Sequence, residues 1–283
     1  MTPLILQAKD GARATITPHG AHAYSWIPAG GREQLFLSKA SSTSDGTAIR
    51  GGVPVIFPQF ANVGALPKHG FARTSLWRLV ETGYRTESAE DAAYAIFDLQ
   101  ENIARLQIWQ HVFRAELAVS VAGNRLTIQL SIHNTGDTSF SFTSALHTYL
   151  AVDQIADVSV HGLAGLRYRD SVSGVSECLE QDASLRITGE IDRIYANVPQ
   201  LPAQLVMYQP QQITRISQTG FTDAVVWNPG AEKAAALADM EAGGEQHMLC
   251  IEAATVMRPV VLAPSASWSG SQTLSVEIPA SAA

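Results

Sequence analysis

Leu126-Thr127-Ile128-Gln129-Leu130-Ser131-Ile132 is apolar at every second position and runs into the turn signal Asn134-Thr135-Gly136-Asp137. Successive side chains of a strand point to opposite faces, so this spacing puts Leu126, Ile128, Leu130 and Ile132 on one buried side. Leu117, Val119 and Val121 repeat the pattern just before Gly123-Asn124, and the two runs read as a hairpin. Phe140 onward reads as a third strand. Similar short runs recur at Ala12 to Ile16, Leu76 to Val80, Tyr94 to Leu99, Leu205 to Tyr208 and Thr273 to Ile278. Many short strands separated by turn residues predict an all-β protein, an antiparallel sandwich or barrel.

Helix signals are sparse. The best is Ala231-Glu232-Lys233-Ala234-Ala235-Ala236-Leu237-Ala238-Asp239-Met240, which follows Asn228-Pro229-Gly230 and stops near Gly243-Gly244. With no fixed-period repeat, long linker or block of like charge, residues 1–283 are expected to form a single domain. Residues 40–49 read as a polar surface connection leading into Arg50, and Ala280-Ser281-Ala282-Ala283 as a frayed end.

The chain has 283 residues, of which 46% are hydrophobic, enough for a large core. Its net charge of −7 argues against nucleic acid or an anionic membrane surface as partner. Cys178 and Cys250 are far apart, without metal-ligand spacing, and Cys250 lies in the apolar run Met248-Leu249-Cys250-Ile251, where it reads as a small buried hydrophobe. The first ten residues hold only a brief apolar run. A reducing, cytoplasmic setting is expected, with no membrane span, cofactor or metal.

A few residues stand out as carriers of chemistry. Arg50 opens Arg50-Gly51-Gly52-Val53-Pro54, and Lys68, His69 and Arg73 fall in Pro67-Lys68-His69-Gly70-Phe71-Ala72-Arg73. Arginines on glycine-shaped loops suit a small anion, while each arginine alone reads as a solvated surface charge. In Phe140 to Leu150, period two puts His147 on a small, polar face with Ser141, Thr143, Ala145 and Tyr149. It is either an acid–base residue or a hydrogen-bonded sheet histidine. Glu252 is the one charge in the apolar run Met248 to Val256, a catalytic acid or half of a buried ion pair. Asp192, beside Arg193, reads as a surface turn with a local salt bridge. Trp227 reads as a core indole, with sugar stacking as the alternative.

Seven segments fall in one order: Arg50-Gly51-Gly52-Val53-Pro54, Phe57-Pro58-Gln59-Phe60, His69-Gly70-Phe71-Ala72-Arg73, Ala145-Leu146-His147-Thr148-Tyr149, Asp192-Arg193-Ile194-Tyr195, Val226-Trp227-Asn228-Pro229 and Cys250-Ile251-Glu252. The series resembles the glucose-6-phosphate 1-epimerases, or hexose-6-phosphate mutarotases, of the aldose 1-epimerase superfamily. The resemblance implies a galactose-mutarotase-like β-sandwich, or supersandwich, with few short helices and a site on a concave sheet face. It implies His147 as catalytic acid and Glu252 as catalytic base. Arg50 and Arg73 would hold the phosphate, Lys68 and His69 would adjoin it, and Asp192 would bind sugar hydroxyls. Lys68 stands where the family commonly has Gln, Ala61 where Gly is common, and Gly230 where an aromatic is common, the last two expected at pocket edges.

Anomer exchange needs one acid and one base, and transfers no hydride. The substrate implied is a hexose 6-phosphate, acted on by a monomer. Two other readings are an aldose 1-epimerase of free hexoses, which the arginine pair disfavours, and a non-catalytic sugar binder, which the matched His147 and Glu252 disfavour.

Overall fold

The computed structural model describes residues 2–42, 46–87, 90–200 and 203–277. Among these, the strands form three antiparallel sheets. The hairpin expected from the alternating runs is present as Phe113–Ala122 and Arg125–Asn134. Leu117 lies opposite Leu130, Val119 opposite Ile128 and Val121 opposite Leu126, all buried. This hairpin lies inside a nine-stranded sheet that ends at Arg78–Glu87 on one side and Ser184–Arg186 on the other.

Phe140 does begin a strand, Phe140–Leu146, but the strand crosses to an eight-stranded sheet. There it pairs with Met248–Leu262, whose other neighbours are Asp223–Asn228 and the short strand Tyr149–Ala151. Ile191–Tyr195 and Arg167–Asp170 continue that sheet outward. The expected continuous strand to Leu150 is interrupted at His147 and Thr148, where the Thr148 amide turns back to the Leu146 carbonyl (2.9 Å) instead of to the facing Ile251. A third, three-stranded sheet, Leu4–Gln7, Arg13–Thr17 and His22–Ile27, closes the amino-terminal side.

One apolar cluster contains side chains from all three sheets, including Ile16 and Trp26, Leu117 and Ile132, and Leu146, Tyr195 and Ile251. Such two-sided strands explain why Met248 to Val256 is apolar on both faces: the whole run is buried. Cys250 is buried there as a free thiol, as expected, and Cys178 is also free.

The other predicted runs are strands with shifted limits: Arg13–Thr17, Arg78–Glu87, Glu90–Gln100, Leu205–Gln209 and Ser267–Glu277. Ile278, the terminal residues 280–283 and part of the 40–49 connection lie outside the described residues. The expected ten-residue helix is shorter, Gly230–Ala235. Beyond it Asp239 is drawn to Arg50 (3.1 Å) and Met240 packs with Phe36 and Met248, so tertiary contacts override alanine propensity. A second short helix, Ile103–Ile108, was not anticipated; the Asn102 side chain caps it by accepting from the Arg105 amide (2.8 Å). Among the described residues no helix is long and apolar enough to cross a membrane.

Candidate active site

The eight-stranded sheet presents two rows of side chains to one face. Val225 lies opposite both Glu252 and Ile194, and Trp227 opposite both Cys250 and Asp192. Tyr149 extends the second row beyond Cys250. His147 extends the first, because the pairings Leu146 with Ala253 and Tyr149 with Cys250 bracket it opposite Glu252. The register thus puts His147, Glu252, Trp227 and Asp192 on one surface although they come from three strands and from the break after a fourth, Phe140–Leu146.

That surface floors a cavity of about 380 Å³, within the roughly 300–1,000 Å³ of small-molecule sites. Arg50, Lys68, His69, His147, Asp192 and Glu252 all line it, together with Phe60, Ala61 and Trp227. Arg73 is not among the lining residues; its guanidinium donates to the Lys68 carbonyl (3.1 Å).

The loops are fixed by close backbone packing. Gly51 and Gly52 have φ of +127° and +58°, and a Cβ on Gly52 would lie 2.5 Å from the Ala23 carbonyl oxygen and from His22 Nε2. His22 itself bonds the Gly51 carbonyl (2.8 Å). This holds Arg50 so that its guanidinium donates to the Tyr149 hydroxyl and to Asp239 (3.1 Å each). In the second loop Ala61 and His69 adopt φ of +48° and +66°, the first at the position where the family commonly has Gly. The Gln59 side chain ties the loop together through the Ala61 and Leu66 carbonyls and the Leu66 amide.

His147 Nε2 lies 3.3 Å from Glu252 Oε1. Tyr149 stacks on the imidazole at 4.9 Å between centroids, and Trp227 and His69 meet it edge-on. Burial pushes the Glu252 carboxyl well above the usual carboxylate range, and nearby Asp192 adds to this. Burial also drives the His147 imidazole well below its ordinary value, helped by His69, Arg73 and Arg50. His69 is lowered to about 3 by burial and by Arg73, Lys68 and Arg50. Burial raises Asp192 too, while Ser171, Lys233 and Arg169 oppose the rise. Four polar atoms of this group are buried without a hydrogen-bond partner among the described residues: His147 Nδ1, Glu252 Oε2, Arg50 Nε and Arg73 Nε. Unmet donors and acceptors at a cavity mark a place where a polar ligand compensates them.

Three expectations are corrected here. Asp192 is not in a surface turn beside a partner arginine: it sits on the strand Ile191–Tyr195 facing the cavity, while Arg193 faces away and pairs with Glu180 (2.9 Å). Trp227 is half-buried in the cavity wall rather than filling the core, with the Arg50 guanidinium over its ring (6.0 Å). Gly230 does not line this cavity; its φ of +64° and a would-be Cβ 2.7 Å from the Glu190 amide nitrogen show that the backbone itself requires glycine. Sequence reasoning missed Lys233, Arg169 and Ser171, which also line the cavity. Lys233 sits in an alanine-rich helix, where a cation reads as solvated, and nothing in the local pattern marks it.

The chain matches the family described as aldose 1-epimerase over residues 4–275. It is 33% identical over 277 residues to a protein of Cenchrus ciliaris named "Putative glucose-6-phosphate 1-epimerase", covering 96% of this chain and 84% of the relative. A crystal structure of a "putative mutarotase" from Salmonella typhimurium superposes with a TM-score of 0.86 at 30% identity, covering 94% of this chain and 88% of that one. The galactose mutarotase related enzyme from Lactobacillus acidophilus, at 13% identity, shares the fold with a TM-score of 0.77 over 99% of both chains. The architecture is that of the galactose mutarotases.

Proposed function

The chain belongs to the aldose 1-epimerase family, and from that premise we propose that it interconverts the α and β anomers of hexose 6-phosphates, glucose 6-phosphate foremost. The observation that carries this reading is the joining, in one cavity, of a buried histidine–glutamate pair with a group of cations: Arg50, Lys68 and Lys233, with Arg73 bonded to the Lys68 carbonyl.

Ring opening requires one proton removed from the C1 hydroxyl and one delivered to the ring oxygen, with the reverse on closure. Glu252 is the base and His147 the acid. Burial disfavours the charged form of each group, and so favours an uncharged pair with the shared proton on the carboxyl. That arrangement and the imidazolium–carboxylate pair hold the same proton and differ by its transfer over 3.3 Å. A phosphate dianion against Arg50 and Arg73 cancels the charges that press on His147, which favours the imidazolium. Arg50, Arg73 and Lys68, beside His69, grip the 6-phosphate. Asp192 accepts hydroxyl hydrogen bonds from the sugar, and Trp227 offers it an apolar face.

Magnetisation-transfer NMR of α-to-β exchange, with glucose 6-phosphate and galactose as substrates, tests the reading. Acceleration of the phosphosugar alone is expected. Equal acceleration of galactose makes the protein a free-sugar epimerase, and no acceleration of either makes it a sugar binder.

A further inference from the structure

The strand Ser267–Glu277 of the nine-stranded sheet points Gly270, Gln272, Leu274 and Val276 inward, and Gln272 is the polar member of that buried series. Its side chain reaches across the interior to the other sheet. Gln272 Nε2 donates to the Ile251 carbonyl (3.0 Å), and Gln272 Oε1 accepts from the Thr148 hydroxyl (2.5 Å). Ile251 immediately precedes Glu252, and Thr148 immediately follows His147.

The reason for this bond lies in the interrupted ladder. Ile251 donates its amide to the Thr148 carbonyl (3.2 Å), but the Thr148 amide turns to the Leu146 carbonyl (2.9 Å) rather than returning the bond. A regular antiparallel pair exchanges both bonds, so the Ile251 carbonyl would be left without its ladder donor inside the core. The Gln272 amide supplies it, and Thr148, fully buried, completes the link.

From this geometry we infer that Gln272 and Thr148 are positioning residues, an inter-sheet clasp that sets the approach of His147 to Glu252. The inference rests on the proposed acid–base roles of that pair. Neither residue lines the cavity, and their polar atoms are engaged inside the core with each other and with the Ile251 carbonyl. Their effect passes through the two backbone segments that carry the reacting side chains.

The test uses Thr148→Val, which keeps the shape and removes the hydroxyl, Thr148→Ser, which restores it, and Gln272→Leu. Thr148→Val is expected to lower kcat on glucose 6-phosphate by about tenfold or more with KM little changed, since a small misplacement of reacting groups is costly. The pH limbs of kcat shift with it, and Thr148→Ser recovers most of the rate. Gln272→Leu, if it folds, behaves like Thr148→Val. An unchanged kcat and pH profile in Thr148→Val, even with a lower Tm, overturns the clasp as a positioning device. The nitrogen NMR titration of the His147 ring in wild type and Thr148→Val needs no substrate. A displaced titration supports the clasp even if wild type turns over no hexose 6-phosphate, a result that would sink the proposed reaction alone. An identical titration overturns the clasp.

Discussion

His147 and Glu252 occupy facing positions on adjacent strands, Nε2 to Oε1 3.3 Å, where the ladder between Leu146 and Tyr149 is interrupted. The lost ladder bond is that of the Thr148 amide, while the His147 amide stays bonded to the Pro54 carbonyl and the register on either side holds its ring opposite the carboxyl. Glu252 Oε2 and His147 Nδ1 are the atoms of this couple left without partners among the described residues.

Replacing Glu252 by Gln removes the proposed base and preserves the shape. A fall in kcat of about 10²- to 10⁴-fold is expected, with KM for glucose 6-phosphate nearly unchanged, read by anomer-exchange NMR. Full activity in this variant would require another base.

Arg73→Ala is expected to weaken glucose 6-phosphate binding by about 2 kcal/mol, the scale of a charge-assisted hydrogen bond, with little change for glucose. Its hydrogen bond to the Lys68 carbonyl offers it an alternative role, in holding the loop. If affinity for both sugars falls equally, Arg73 supports the loop instead of the phosphate.

Lys68 lines the cavity among like charges; burial and then Arg73, Arg50 and Lys233 lower its pKa. Lys68→Gln is expected to raise KM for the phosphosugar by about three- to tenfold and to flatten its dependence on ionic strength. An unaltered salt dependence would remove Lys68 from the phosphate contacts.

Acid stability is governed partly by His22, fully buried and lowered from 6.5 to about 4, chiefly by burial. Between those values the unfolded imidazole binds a proton that the folded one refuses. Stability is therefore full above pH 6.5 and falls as pH drops to 4, by about 3 kcal/mol from this residue. His69 and His147 act in the same direction. Glu252, raised by burial, acts in the opposite one: its contribution is present below pH 4.5 and is lost as pH rises. Urea unfolding from pH 7 to 4 should show a smaller loss in His22→Gln, which keeps a donor for Gly51 without a titrating ring. An equal loss in both proteins would assign the acid sensitivity to other groups.

Alternation alone located the central hairpin and several of the longer strands, because side-chain direction in a strand has a period of two and each face meets one environment. It also separated His147 from Leu146 and marked Glu252 as the anomalous charge of a buried run. Three things were decided only in the tertiary structure. The strand at Phe140 leaves its hairpin for another sheet, since a local pattern does not say which partner a strand finds. The break after His147, where the Thr148 amide turns to Leu146, stands because Gln272, far away in sequence, supplies the donor that the Ile251 carbonyl lacks. Asp192, Trp227 and Lys233 join the cavity because registers between distant strands, and the docking of one short helix, bring them there. Local patterns record which face a residue takes; the assembly of a site is a property of long-range pairing, which no short window contains.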